Sequence, residues 1–347
     1  MTSTNTTPIS IASYPQRHFD KVIEACNKFD GDLSTTWKFY MLDNSRPVGF
    51  MREEFANNIQ WGIAAFKVSK EAKTIHLDPT LVPGEDATER CQEEFTKLCE
   101  INKTRFVDLE KWLNSKSKPE FQAVRWLDVP GAMYKMPTPL RGICGIATAG
   151  VHLNVYTVIG QQRHMWVSQR SMNSTYPGML DQTVAGGMDY TDDYNPWATL
   201  EHEASEEAKL VLDTATEKMT YKGVEVGLVR GPFRMTLYDK KDKNAGGNEG
   251  TLEPSVCFVF DMEVPADFVM VPGEDQSFQL KSMKEVVDQL GAGQWKPNSG
   301  LATLESLLRN GYIVDRGDGM VVELQKKLQR GLPMRTAHCE EEYSLDD

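Results

Sequence analysis

The 347-residue chain holds no apolar run approaching the roughly 18 residues that a membrane-spanning helix requires. Its opening, MTSTNTTPISIASYPQR, lacks the apolar stretch of a secretory signal. Cysteine is scarce: Cys26, Cys91, Cys99, Cys144, Cys257 and Cys339 are the whole complement, and none forms a C-x-x-C pair. This excludes a dense disulfide scaffold and predicts free thiols in a reducing compartment. His18, His76, His152, His164, His202 and His338 show no H-x3-H or H-E-x-x-H spacing, which argues against a zinc site. Positive charge is in deficit, with 38 Lys and Arg against 50 Asp and Glu and a formal net charge of −12. Such a chain repels polyphosphate backbones, so nucleic-acid partners are disfavoured. A small anion could still bind where a local cation, such as a metal ion, bridges the two. These absences predict a cytoplasmic protein with no membrane segment and leave the oligomeric state open.

What is present divides at a cluster of prolines and glycines. PGAMYKMPTPLRG (130–142) reads as a linker. With the length of the chain, it predicts a flexible tail over 1–14, a small α+β domain over 15–135, a second domain over 136–315, and a C-terminal helix with an acidic tail over 316–347. In the first domain, WKFYML (37–42) and AFKV (65–68) predict strands, with a short helix at EEFANNIQWG (53–62). Residues 86–103 predict an amphipathic helix, because Cys91, Phe95, Leu98 and Ile101 recur at helical spacing. In the second, GIATAGVHLNVYTVIG (145–160) and RHMWVSQR (163–170) alternate and predict a hairpin about Gly160. VGLVRGPFRMTLYD (226–239) and SVCFVFDMEV (255–264) predict further strands, and helices follow at 282–290, 300–310 and 320–330. Strands flanked by helices in this way predict an α/β or α+β sandwich with a mixed sheet.

The chemistry concentrates in VAGGMDYTDDYNPWATLEHEASEEAKL (184–210). A glycine pair leaves a strand, a polar loop follows, and Asn195-Pro196 announces a helix, asparagine as cap and proline in the first turn. On a helical wheel Trp197, Leu200, Ala204, Ala208 and Val211 share one side. Glu203, Glu206 and Glu207 stack on a neighbouring face within one turn. Three such carboxylates repel one another unless water or a cation offsets the charge. An oxygen-liking divalent ion would do so, since Mg²⁺ takes a few carboxylates and keeps waters and substrate phosphates as its other ligands.

The glycine pair, loop, capped helix and H-E-A-S-E-E resemble the Nudix box, G-x5-E-x7-R-E-U-x-E-E-x-G-U, in which U is a bulky apolar residue. Glu203, Glu206 and Glu207 match its helical glutamates and Leu210 its last apolar position. The resemblance implies that these glutamates and the Gly186 carbonyl ligate Mg²⁺, with Mn²⁺ as an alternative. The chain departs from the pattern in several places. The loop is one residue longer, and its expected glutamate falls near Tyr194, beside Asp192 and Asp193. His202 replaces the bracing arginine, Ala204 a bulkier residue, and Lys209 the late glycine. YPGMLDQTVAGG (176–187), FVFDMEVPADFV (258–269), WKPNSGLATLESLLRNGYI (295–313), RPVGFM (46–51) and GICGIATAGVHLNVY (142–156) further resemble a Nudix subfamily with an extra N-terminal domain, labelled thiamine pyrophosphokinase-related. The chain has no P-loop, so the label does not imply a kinase.

The resemblance implies a Nudix α/β/α sandwich and hydrolysis of a small organic diphosphate. Thiamine diphosphate or its oxidised forms, cut to the monophosphate and phosphate, are the substrates implied; an oxidised nucleoside diphosphate or ADP-ribose is the rival. A degenerate Nudix domain that binds a ligand or protein without turnover is the other function class. Glu274, with Asp275 beside it, is the candidate general base, and Arg170 a candidate contact for substrate phosphate. Trp166 and Trp295 are either core residues or stacking platforms. His202 could brace the acidic face through Glu206, four residues on.

Overall fold

The computed structural model describes residues 9–10, 14–42, 44–78, 80, 85–115, 120–128, 133–190, 195–271, 277–315, 317 and 319–336. The central element is a mixed sheet. Its strands lie in the order Leu180–Asp181, Gln162–Gln169, Thr148–Ile159, Leu252–Glu263, Val224–Lys240, Lys218–Tyr221 and Leu210–Asp213. Val184–Gly187 adds to Thr148–Ile159, and Ser277–Ser282 to Gln162–Gln169. Thr148–Ile159 runs parallel to Leu252–Glu263, whereas its pairings with Gln162–Gln169 and Val184–Gly187 are antiparallel.

Successive side chains of a strand point to opposite faces, and Thr148–Ile159 shows what that does here. Val151, Leu153 and Val155 turn toward the helix Pro196–Ala208 and meet its Leu200, Ala204 and Ala208. Tyr156 turns the other way, with Met235, Leu237, Cys257 and Val259. That face packs on the helices Gln16–Glu24, Met283–Gly291 and Pro297–Arg309, through Phe19, Val286 and Leu304 among others. Burial of each such side chain contributes roughly 1.5–3 kcal/mol. Helices on both faces make an α/β/α sandwich, the architecture that the sequence predicts.

A further core lies around the four-stranded sheet Gly49–Arg52, Thr36–Tyr40, Thr74–Leu77, Phe66–Ser69. Phe39, Ile75 and Leu77 pack there with Phe95, Leu98 and Cys99 of the helix Glu85–Asn102. Met136, Leu140 and Ile143 belong to the same core, which corrects the linker reading of 130–142 over its described residues, 133–142. Tyr134–Pro137 is a strand paired with Phe121–Val124, and Thr138–Cys144 is a helix. Its proline sits in the first turn, where no N–H is needed, and Gly145 closes it in the left-handed region at φ 62°. These are punctuation residues of a helix rather than of a loop.

Two stretches singled out in the sequence meet here: Gly49 and Ile146 form an antiparallel bridge. A β-carbon on Gly49 would strike the Cys144 carbonyl, and one on Gly145 the Phe50 carbonyl. The two backbones are packed too closely for side chains at either position.

Of the predicted tail, residues 9–10 and 14 have partners far along the chain, and 1–8 and 11–13 lie outside the described residues. Ile9–Ser10 pairs in parallel with Ile313–Val314, and the Tyr14 hydroxyl donates to Asp288 at 2.8 Å. The helix Gln16–Glu24 buries Phe19, Val22 and Ile23 among the C-terminal helices rather than in the core of residues 36–146. The acidic tail beyond residue 336 lies outside the described residues, as does Cys339. Cys26, Cys91, Cys99, Cys144 and Cys257 are free and buried. Among the described residues, no helix is long and apolar enough to cross a membrane.

Candidate active site

Antiparallel pairing sets Gly186 opposite Val151 and Gly187 opposite Gly150. The helix that follows spans Pro196–Ala208. Asn195 caps it, its Oδ1 accepting from the Trp197 N–H at 3.0 Å, and Pro196 takes the first turn. Leu200, Ala204 and Ala208 are buried as the wheel predicts. Val211 is not: the helix stops at Ala208, Lys209 turns left-handed with φ 55°, and Val211 lies exposed on the next strand. The position where the family pattern has glycine is thus the one with a backbone that favours glycine.

Sheet and helix bring two of the three glutamates to the glycine pair. A β-carbon on Gly186 would run into the Glu203 carboxylate. Glu207 Oε2 accepts the Ala185 N–H at 2.9 Å. Burial pushes the Glu207 carboxyl up to about 7; the Ala185 hydrogen bond opposes the shift and the Glu203 charge adds to it. Glu206 is exposed and lies 3.0 Å from His202 Nε2, the brace suggested by their spacing. Among the described residues, no group of three His, Cys, Asp or Glu side chains converges as a metal cage. Two carboxylates and a backbone carbonyl nevertheless fit Mg²⁺, which binds through one or two carboxylates and keeps waters and phosphate oxygens.

Three supporting residues escaped the sequence reading. Gly150 is one: a β-carbon there would sit 2.9 Å from the Gly186 carbonyl oxygen. Only a glycine at this position leaves room for that oxygen. Arg125 is another, buried, with Nη1 3.5 Å from the Met188 carbonyl and Nη2 donating to the Asp189 carbonyl. It fixes the chain just past the glycine pair, where Lys135 also lies 4.2 Å over the Tyr190 ring. Neither has a local sequence signal, because each acts across a large separation in the chain. The third, Lys296, lies at the head of the helix Pro297–Arg309 and 3.4 Å from buried Asp181. Burial alone would raise the Asp181 pKa, but Lys296, the Ser299 hydroxyl and Arg170 outweigh it and the pKa is lowered.

Gly150, His152, Gly186, Gly187, Glu253 and Lys296 are among the residues lining a cleft of about 260 Å³. Partly buried Glu253 holds Arg141 at 2.6 Å and Lys241 at 3.3 Å on its wall. A neighbouring cavity of about 370 Å³ shares Arg141, Thr175, Lys241 and Ala245 with it. Asp108, Trp112 and Thr138 line that second cavity, so residues 107–144 supply one of its walls.

The other candidates fall elsewhere. Arg170 is engaged within the chain: Nη1 donates to Asp181 at 2.8 Å, Nε to the Thr175 carbonyl at 2.6 Å and Nη2 to the Thr175 hydroxyl at 3.0 Å. Trp166 and Trp295 are buried core residues, Trp166 edge-on to Phe268. Glu274 and Asp275, and the loop acids Asp192 and Asp193, lie outside the described residues.

No family model matches the chain. It is similar to an uncharacterized protein of Saccharomyces cerevisiae, YJR142W, at 31% identity over 56% of this chain and 56% of the relative. Nudix hydrolase 20, chloroplastic, of Arabidopsis thaliana is 30% identical over 61% of this chain and 50% of its own length. Nudix hydrolase 24, chloroplastic, of the same plant is 28% identical over 62% and 52%. The chain spans about half the length of these curated relatives. Among solved structures, a binary complex of the C. elegans Ap4A hydrolase is similar at 12% identity and a TM-score of 0.32, over 47% of this chain and 98% of that one; this likeness is too slight to bear on function. In sequence the chain is thus similar, over part of its length, to two named Nudix hydrolases.

Proposed function

We propose that the protein is a Nudix-type hydrolase that cleaves the diphosphate of a small organic molecule with Mg²⁺, or Mn²⁺ in its place. The observation that carries this reading is the meeting of Glu203 with Gly186 and of Glu207 with the Ala185 N–H. Glu203, Glu207 and the Gly186 carbonyl would hold the ion, with Glu206 on the same helix face. When bound, such an ion supplies Lewis-acid activation and neutralises charge on phosphate oxygens. The chain's own part is to bind and orient. Lys296, Lys241 and Arg141 line the cleft beside Gly186 and would attract a phosphate in an otherwise acidic protein. Glu274 remains the proposed base, whereas Arg170, the other candidate for a phosphate contact, is held by Asp181, which Lys296 of the cleft also reaches.

For the substrate, the subfamily resemblance supports thiamine diphosphate or its oxidised forms. The paired cavities offer room for a heterocycle beside the diphosphate, with residues 107–144 as one wall. The test is kinetic. Purified protein is assayed for phosphate release from oxidised thiamine diphosphates, nucleoside diphosphates and ADP-ribose, with Mg²⁺ and with chelator. Mg²⁺-dependent cleavage is expected; absence of cleavage across the panel overturns the enzymatic reading in favour of a binding module. A kcat/KM for a nucleoside diphosphate about tenfold or more above that for oxidised thiamine diphosphates, roughly 1.4 kcal/mol of transition-state preference, overturns the thiamine reading alone.

A further inference from the structure

His152 lies at the middle of its strand, paired with Ala185 on one side and Val259 on the other. It is 3% exposed. Its Nδ1 is 2.9 Å from Gln182 Oε1. The other end of that amide donates to the Ser299 carbonyl at 2.5 Å and to the Thr303 hydroxyl at 2.9 Å. A carbonyl can only accept, so the Gln182 nitrogen faces Ser299 and its oxygen faces His152. Nδ1 is therefore the ring atom that carries the proton. A neutral imidazole has one N–H, which leaves a bare lone pair on Nε2. Nε2 has no hydrogen-bond partner among the described residues, and His152 is one of the residues that line the cleft beside Gly186. Burial holds this imidazole neutral, lowering its pKa to about 4, and Lys296 acts in the same direction.

From this arrangement, and resting on the hydrolase reading above, we propose that His152 is a specificity-determining residue whose Nε2 accepts an N–H or O–H of the organic group attached to the diphosphate. A neutral ring that resists protonation is a good acceptor but a weak base toward water near neutral pH. Nitrogen is also a poor ligand for Mg²⁺, which prefers oxygen. The cations Lys296, Lys241 and Arg141 on the same walls suit the phosphates, and His152 reads what they carry. The substrate class is thus a diphosphate bearing a donor-substituted group, such as an amino-substituted heterocycle. Diphosphates of plain hydrocarbon chains would leave the acceptor unpaired and be rejected.

Two matched pairs test this with Mg²⁺ present: thiamine diphosphate against the analogue whose pyrimidine amino group is replaced by hydrogen, and ADP against purine riboside diphosphate. In whichever pair is cleaved, kcat/KM is expected to be about tenfold or more higher for the amino-bearing member. His152→Phe should bring the ratio close to one, and His152→Gln, whose oxygen again offers a lone pair, should restore part of it. Equal kcat/KM within the cleaved pair overturns the proposal while leaving the hydrolase reading intact. If neither pair is cleaved, calorimetric Kd values for the four compounds decide: an amino-dependent difference supports the acceptor role, and none overturns it. Should the variants fail to fold, ¹⁵N NMR of the wild type reads the tautomer directly. A protonated Nδ1 with bare Nε2 is expected, and a protonated Nε2 overturns the proposal.

Discussion

The carboxylate of Glu203 fills the space that a β-carbon on Gly186 would need. Gly186→Ala should therefore displace the end of a flexible side chain while leaving the core alone. We expect kcat to fall about tenfold or more, with a stability loss of roughly 1 kcal/mol or less, in the range of most substitutions. Gly150→Ala provides the contrast, because its β-carbon would meet backbone, the Gly186 carbonyl oxygen at 2.9 Å. That change should cost stability as well as turnover. Kinetics paired with urea unfolding checks both, and an active Gly186→Ala enzyme would remove Glu203 from the site.

Glu207 meets the backbone beside the glycine pair, whereas Glu206 is exposed and meets His202. Glu207→Gln keeps an oxygen for the Ala185 N–H, so packing and hydrogen bonding survive. Turnover should fall about a hundredfold, on the order of the loss seen when metal sites are disturbed. Glu206→Gln changes an exposed pair with His202, worth under about 1 kcal/mol. Its expected signature is a higher Mg²⁺ requirement at near-normal stability. Mg²⁺ titrations of the two variants check this ordering; equal activity of Glu207→Gln and wild type would refute the assignment.

Lys209 holds a left-handed backbone, φ 55°, at the end of the box helix. For a residue with a β-carbon this costs about 1 kcal/mol. Lys209→Gly should raise unfolding free energy by about that amount, offset in part by glycine's greater freedom in the unfolded chain. Its amine also reaches the Glu206 carbonyl at 3.3 Å, an exposed contact of little weight. A destabilised glycine variant in urea melts would mean that the lysine contact outweighs the backbone term.

Asp239 supplies a pH dependence. Burial raises its carboxyl to about 6, although Lys28 pulls it down. The folded chain thus keeps a proton that the unfolded chain releases near the ordinary value of about 4. Between those limits the folded state binds more protons, so this group's contribution to stability falls as pH rises from about 4 to 6 and is flat above. Asp239→Asn should gain on the wild type by about 1–3 kcal/mol across that interval, since a tenfold change in proton affinity corresponds to about 1.4 kcal/mol. Unfolding curves at several pH values check this; a constant difference between the two proteins would contradict it.

Much of this was legible in local pattern. Alternation placed the strands of residues 145–170 and 226–264, Asn195-Pro196 placed the start of the box helix, and helical spacing put Glu203 and Glu207 together. The misreadings share a cause: they concern residues whose meaning depends on distant partners. The prolines and glycines of 130–142 look like a loop until Phe121–Val124 arrives to pair with Tyr134–Pro137. Arg170 looks like a phosphate contact until Asp181 takes its guanidinium. Gly150, Arg125 and Gln182 show nothing in sequence, since their roles consist of what lies across the sheet from them.

The helix Gln16–Glu24 is synthesised first among the elements of the sandwich but is buried against helices that begin at Met283 and Pro297. On the ribosome, residues 36–146 can complete their own core while that helix waits with Phe19, Val22 and Ile23 uncovered. A shortened gene that starts near residue 140, the natural cut for the half that carries Glu203 and Glu207, would expose the same apolar surface permanently on the other side, and its product should aggregate unless residues 14–30 are supplied in trans.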